Sequence, residues 1–253
     1  MALAVVNDDE EKSAPSGAGS APEGFVSLSD ERGVVDVVSR SILGLWNVVN
    51  DLTRLRPARR DAYRVTIFGS ARVERDHWVY AAVRDLCAEL TRQGCDIVTG
   101  GGPGLMQAAN EGARIGDPDA KSLGIRVELP FEQEINAFVE QAYEHGTFFT
   151  RLHHFALVSD AFVVVPGGIG TLLELSLIWQ LLQVRKLHDT PLIVAGPMWA
   201  ELVEWARRYL LRPDFPLASR EDLAIPRCVG DGAGILEIIR AHHAAWKQRQ
   251  AEG

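Results

Sequence analysis

Glu174 closes the stretch Pro166-Gly167-Gly168-Ile169-Gly170-Thr171-Leu172-Leu173-Glu174, which follows the apolar run Ala161-Phe162-Val163-Val164-Val165. A glycine loop that opens into a helix offers free backbone N–H groups and the positive end of the helix dipole, and both attract phosphate. A carboxylate beside such a loop can stabilise developing positive charge or take a proton from water. The same letters have a second reading. Thr171-Leu172-Leu173-Glu174 fits the Ser/Thr-x-x-Glu capping box, with Thr171 as N-cap and Glu174 bonding back to its N–H. In both readings Glu174 belongs to the first helical turn, where the dipole keeps a carboxylate ionised.

A second loop of the same kind, Gly100-Gly101-Gly102-Pro103-Gly104, precedes Leu105 and Met106. A shorter one, Gly69-Ser70-Ala71-Arg72, carries an arginine that could reach a phosphate. A single glycine loop is often only a turn. A pair at strand-to-helix junctions points to phosphate, because glycine lets the backbone approach a ligand closely. Met106 and Leu105 also read as helix core, and Asp160 as a cap or ion-pair partner near a strand start.

Other chemistries lack their residues. Neither long loop has the lysine of a Walker A motif, and Leu105 stands where the third glycine of G-x-G-x-x-G, counted from Gly100, belongs. There is no G-x-S-x-G elbow. The pairs His153-His154 and His242-His243 are adjacent, and helix neighbours do not share a face, so no metal site is expected. Lys12, Lys121, Lys186 and Lys247 have no context that suggests a Schiff base, and no cofactor is expected.

These loops need a frame. From residue 63 onward, strand-like runs at 64–68, 96–99, 123–127, 161–165 and 192–195 alternate with helical patterns. Helices are expected near 77–93, from the GGGPG loop to 115, at 148–158, after PGGIGT, near 198–211 and near 233–247. Short apolar strands alternating with helices predict an α/β, Rossmann-like fold: a mainly parallel sheet covered by helices on both faces. Ligands in such sheets bind outside the carboxyl ends of the strands, where all three glycine loops fall.

Ahead of this core, residues 1–30 are acidic and rich in Ser, Gly and Pro, and read as a disordered tail. Residues 31–60 read as an extra N-terminal helix, with apolar residues at helical spacing from Val34 to Leu52, and a basic connector. The main domain spans 61–253. The 253 residues carry a net charge of -8, which disfavours a broad nucleic-acid footprint. Cys87, Cys95 and Cys228 are scattered without CxxC spacing. No apolar run of about 18 residues suggests a membrane span. Acidic residues Asp8 to Glu11 stand where a signal peptide would be basic, so a cytoplasmic location is expected.

GGGPGLM at 100–106 together with PGGIGTLLE at 166–174 resembles the LOG ("lonely guy") family, the cytokinin riboside 5'-monophosphate phosphoribohydrolases and bacterial nucleotide 5'-monophosphate nucleosidases. Arg151, ahead of Ser159-Asp160-Ala161-Phe162, stands at the family's arginine position, and LGIRVELPFEQEIN resembles its longer bacterial members. The resemblance covers about 63–210. It implies hydrolysis of the N-glycosidic bond of a nucleoside 5'-monophosphate such as AMP, by a homodimer or larger homo-oligomer. It implies Arg151 and Glu174 as the catalytic pair. Gly69, Ser70, Arg72, Gly101, Gly102, Gly104, Met106, Pro166, Gly167, Gly168, Gly170 and Thr171 would hold phosphate and ribose. Leu152, Leu173 and Ile169 depart from the plant-like pattern, which has lysine, glutamate and an aromatic there, and this bears on the base accepted. The alternative is a nucleotide-binding or carrier protein on the same fold without turnover.

Overall fold

The computed structural model describes residues 27, 29–40, 62–128 and 135–252. The chain divides into two units, Met1–Ala58 and Arg59–Gly253. In the first, residues 31–40 are helical (α1). Asp30 starts this helix, its carboxylate accepting from the Gly33 N–H at 3.1 Å. The rest of the expected N-terminal helix, the basic connector and most of the tail lie outside the described residues.

The second unit is built on a seven-stranded sheet. In chain order it runs β1 (Tyr63–Phe68), α2 (Trp78–Arg92), β2 (Cys95–Thr99), α3 (Leu105–Gly116), β3 (Ser122–Val127), β4 (Gln141–His145), α4 (Phe148–Val158) and β5 (Ala161–Val164). Then come α5 (Ile169–Gln183), β6 (Leu192–Ala195), α6 (Pro197–Leu210), a small hairpin of β7 (Leu211–Arg212) and β8 (Phe215–Pro216), β9 (Pro226–Val229) and α7 (Gly232–Glu252). The sheet order is β4-β3-β2-β1-β5-β6-β9, and every pairing in it is parallel. The fold is α/β, as the alternation of strands and helices predicts.

Strand alternation sorts the core into two layers. Val65, Ile67, Ile97, Ala161 and Val163 pack with residues of α2, α3 and α7 on one face. Phe68, Val98, Phe162 and Val164 pack with residues of α4, α5 and α6 on the other. The chain leaves β1 toward β2 on one side and returns to β5 on the other, so the strand order reverses beside β1. In sheets of this kind that reversal opens a crevice at the carboxyl ends.

Besides the small β7–β8 hairpin, two strands of the main sheet have no counterpart in the expected strands, and both lie at its edges. β4 is QAYEH, almost wholly exposed, and β9 is PRCV, opening with a proline. Edge strands need not be apolar and tolerate proline, so neither gives a hydrophobic run.

The start of α5 corrects one expectation. Its N-cap is Gly168, with no side-chain cap bond, and Thr171 is the third helical residue. The capping box is absent. Glu174 is the sixth residue, in the second turn and not the first, so the end of the dipole does not govern its charge.

Candidate active site

The three glycine loops are joined to one another by backbone. The Ser70 N–H donates to the Pro166 carbonyl at 3.0 Å, and the Ser70 carbonyl accepts from the Leu105 N–H at 2.8 Å. Gly104 has φ +68°, and a Cβ there would run into the Ser70 carbonyl. Glycine is required by both backbone shape and close approach. Gly167 is crowded differently, because a Cβ would strike the Thr171 side chain that folds back over it. The Trp199 indole N–H donates to the Val165 carbonyl at 3.0 Å, fixing the strand end from which Pro166 leaves.

Above these loops lies an open cleft of about 1010 Å³. Of the expected site residues, Gly69, Ser70, Arg72, Gly102, Met106, Arg151, Gly168, Gly170, Thr171 and Glu174 line it. Gly101, Gly104, Pro166 and Gly167 do not; Gly104 and Pro166 join the loops, and Gly167 seats Thr171. Added Cβ atoms at Gly168 and Gly170 would meet nothing within 4 Å. These two glycines keep space open in the cleft, next to the uncapped start of α5. Met106 is half-buried and faces the cleft, so the helix-core reading fits Leu105 and not Met106.

Arg151, on α4, and Glu174, on α5, meet at the cleft floor. Arg151 Nη1 lies 3.0 Å from Glu174 Oε1, with side-chain exposures of 13% and 10%. Arg151 Nε–H donates to the Ile125 carbonyl at 2.9 Å. Its guanidinium carbon lies 5.2 Å from the centre of the Phe155 ring, a cation–π arrangement. Gly100 completes the seat: a Cβ there would press on Arg151 Nη2 and on the Met106 sulfur.

Burial pushes the Glu174 carboxyl up to about 7, with the Arg151 charge and hydrogen bond pulling the other way. The expectation of an ordinarily ionised carboxylate is therefore corrected. Desolvation dominates, and the group titrates near neutrality. That is the range in which a carboxylate works well as a base.

Several residues of the cleft have no loop signature and escaped the sequence reading. Arg126, Glu128, Glu144, Gly146 and Phe148 line its far end, from β3, β4 and the start of α4. Arg126 Nη1 and Glu144 Oε1 are 3.9 Å apart. For Glu144, Gly146 and Phe148 the signal would have been the β4 strand, which its exposed polar sequence concealed; Arg126 and Glu128 lie at the end of the expected strand 123–127, with no motif to mark them. Asn110 is fully buried, with its side-chain carbonyl accepting from the Thr99 hydroxyl at 2.7 Å. Asp160 acts as its strand-start reading proposes, accepting from the Arg64 N–H at 2.9 Å. The histidine pairs are occupied with other partners: His154 with His145 at 2.9 Å and His242 with the Tyr63 hydroxyl at 2.6 Å. Among the described residues no group of three or more His, Cys, Asp or Glu could hold a metal ion.

A family described as "Possible lysine decarboxylase" matches residues 106–227. A "Pyrimidine/purine nucleotide 5'-monophosphate nucleosidase" of Escherichia coli K12 is 27% identical over 141 residues, covering 53% of this chain and 31% of that one. A rice (Oryza sativa subsp. japonica) protein named "Probable cytokinin riboside 5'-monophosphate phosphoribohydrolase LOGL9" is 37% identical over 113 residues, covering 44% of this chain and 49% of that one. The resemblance to the LOG family is borne out. The LOG-like chain spans half or less of the length of these two relatives. Among solved structures, the Moco carrier protein of Chlamydomonas reinhardtii shares the fold at a TM-score of 0.52 and 21% identity, covering 73% of this chain and 99% of that one. The residues lining the cleft include no lysine, so the family's description gains nothing from an amine in this site. Among the described residues no helix is long and apolar enough to cross a membrane.

Proposed function

We propose that the protein hydrolyses the N-glycosidic bond of nucleoside 5'-monophosphates, releasing free base and ribose 5-phosphate. The observation that carries this reading is the Arg151–Glu174 pair at the floor of a cleft rimmed by glycine loops. The 5'-phosphate binds against the GGGPG and PGGIGT loops, where Gly168 and Gly170 leave room. Arg72 adds a cation at the rim.

Breaking the C1'–N bond develops positive charge on the ribose ring. The Glu174 carboxylate stabilises that charge and takes a proton from the attacking water, as carboxylates do in glycoside hydrolysis. The water oxygen becomes the hydroxyl on C1', and the departing base nitrogen gains a proton. Arg151 does not give up its own proton at working pH. It orients Glu174 and supplies electrostatic stabilisation to the leaving base.

The names of the relatives support AMP-like substrates, cytokinin riboside monophosphates among them. A homodimer or larger homo-oligomer finds support in exposed apolar residues beside the cleft: Phe149 is 60% exposed and Ile169 82% exposed. A cytoplasmic setting and the main-domain boundary near residue 61 belong to the same proposal. The second reading is a nucleotide-binding or carrier protein without turnover. It draws on Glu174 being already engaged by Arg151, which leaves the carboxylate less free for water. Incubation with AMP and detection of free adenine and ribose 5-phosphate separates the two.

A further inference from the structure

Behind the GGGPG loop lies a buried polar network that the proposed chemistry does not use. Asn136 is 8% exposed, and its side-chain N–H groups donate to the Gly102 carbonyl at 2.9 Å and to Asn110 Oδ1 at 3.1 Å. The Asn136 backbone N–H donates to the Gly101 carbonyl at 3.0 Å. Its Oδ1 accepts from the Phe138 N–H at 3.2 Å, closing a turn. Asn110 donates to the Ser122 hydroxyl at 2.8 Å and accepts from the Thr99 hydroxyl at 2.7 Å. Thr99 Oγ1 in turn accepts from the Gly101 N–H at 2.9 Å.

The effect is directional. Gly101 is held at its N–H by Thr99 and at its carbonyl by Asn136, while Gly102 is held at its carbonyl. Gly101 also has φ +72°, a conformation that its own residue type permits but does not enforce. Three glycines in a row carry no side chains of their own to restrain the backbone. Pulling the two carbonyls back into the protein keeps their negative ends away from the cleft surface, which suits an anion there. All four side chains are at least nine-tenths buried, so an unmade bond finds little water to replace it.

We infer that Asn136 and Thr99, through Asn110, are positioning residues that hold the GGGPG loop in its phosphate-receiving conformation. This rests on the proposed placement of the 5'-phosphate. The network sets affinity for the phosphate group and leaves the sugar contacts alone.

The test uses ribose 5-phosphate and phosphate-free ribose as probes, titrated calorimetrically against the full chain, with a thermal melt of each variant. Asn136→Ala removes both side-chain donors. Thr99→Val keeps the volume and removes the hydroxyl, and Thr99→Ser restores it. The expected result is a folded Asn136→Ala and a folded Thr99→Val, each with roughly tenfold weaker binding of ribose 5-phosphate. Ribose binding stays as in the wild type, and Thr99→Ser recovers the phosphate preference. Wild-type protein that does not prefer ribose 5-phosphate to ribose overturns the phosphate placement itself, and this inference with it. A wild-type preference that survives unchanged in both folded variants overturns this inference alone. Unfolding of both variants with Thr99→Ser intact would make the network a stability device and would also overturn it.

Discussion

Individual glycines in this site have separable duties, and substitution distinguishes them. Gly170 lies in the first turn of α5 with open space where a Cβ would stand. Alanine there should raise stability by up to about 1 kcal/mol, because glycine is a poor helix former. It should also weaken nucleotide binding, because the new methyl enters the cleft. Gly104→Ala should act in reverse, lowering the melting temperature through a positive φ and a backbone clash with Ser70. Thermal melts paired with AMP binding read both effects; equal stability loss in the two would refute the distinction. Glu174 gives the pH dependence. Burial raises its carboxyl to about 7, above its ordinary value of 4.5, and in the proposed mechanism the base form is the active one. The rate of AMP hydrolysis should therefore rise with pH through about 7. Stability runs the other way: the contribution of this group is full below 4.5 and is lost as pH rises through about 7. A rate that is flat between pH 5 and 8, roughly spanning the titration, would contradict the assignment.

At the scale of elements, much of the frame was legible because central parallel strands are short apolar runs between glycine loops. β5 and β6 carry AFVV and LIVA, and α4 spans the expected 148–158, with the Thr147 hydroxyl capping it by accepting from the Thr150 N–H. The edge strands β4 and β9 were hidden because exposed backbone needs no apolar side chains. With β4 went the far end of the cleft. Thr171 misled for another reason: Ser/Thr-x-x-Glu is a local pattern, and burial of both residues overrides it. Asn110 and Asn136 were illegible as a pair because their contact joins residues 26 apart in the chain. At the amino ends of the strands, Tyr63 stacks on His243, with ring centres 4.6 Å apart, and meets Trp246 edge-on, docking α7. Burial pushes His243 down to about 4. A depressed histidine stabilises above its ordinary value of 6.5, and this contribution is lost as pH falls through about 4. Trp246 fluorescence should report loosening of α7 across that acid range, and His243→Phe should flatten the response. An unchanged acid profile in that variant would assign the sensitivity elsewhere.

The whole molecule adds the question of assembly. Phe149 and Ile169, near the Arg151–Glu174 pair, present apolar side chains to solvent in a single copy. Exposed apolar surface near a site is a common mark of an interface. The mass in solution should correspond to a dimer or a larger closed assembly, and Phe149→Glu should shift it toward the monomer. A wild-type chain that sediments as a monomer at all concentrations would remove this part of the account. Hydrolysis through Glu174 is tested by incubating wild-type protein and Glu174→Gln with AMP and measuring free adenine and ribose 5-phosphate. The wild type should give both products, and a folded Glu174→Gln protein little of either. Adenine release at the wild-type rate from Glu174→Gln, or none from the wild type across a panel of nucleoside 5'-monophosphates, would contradict it.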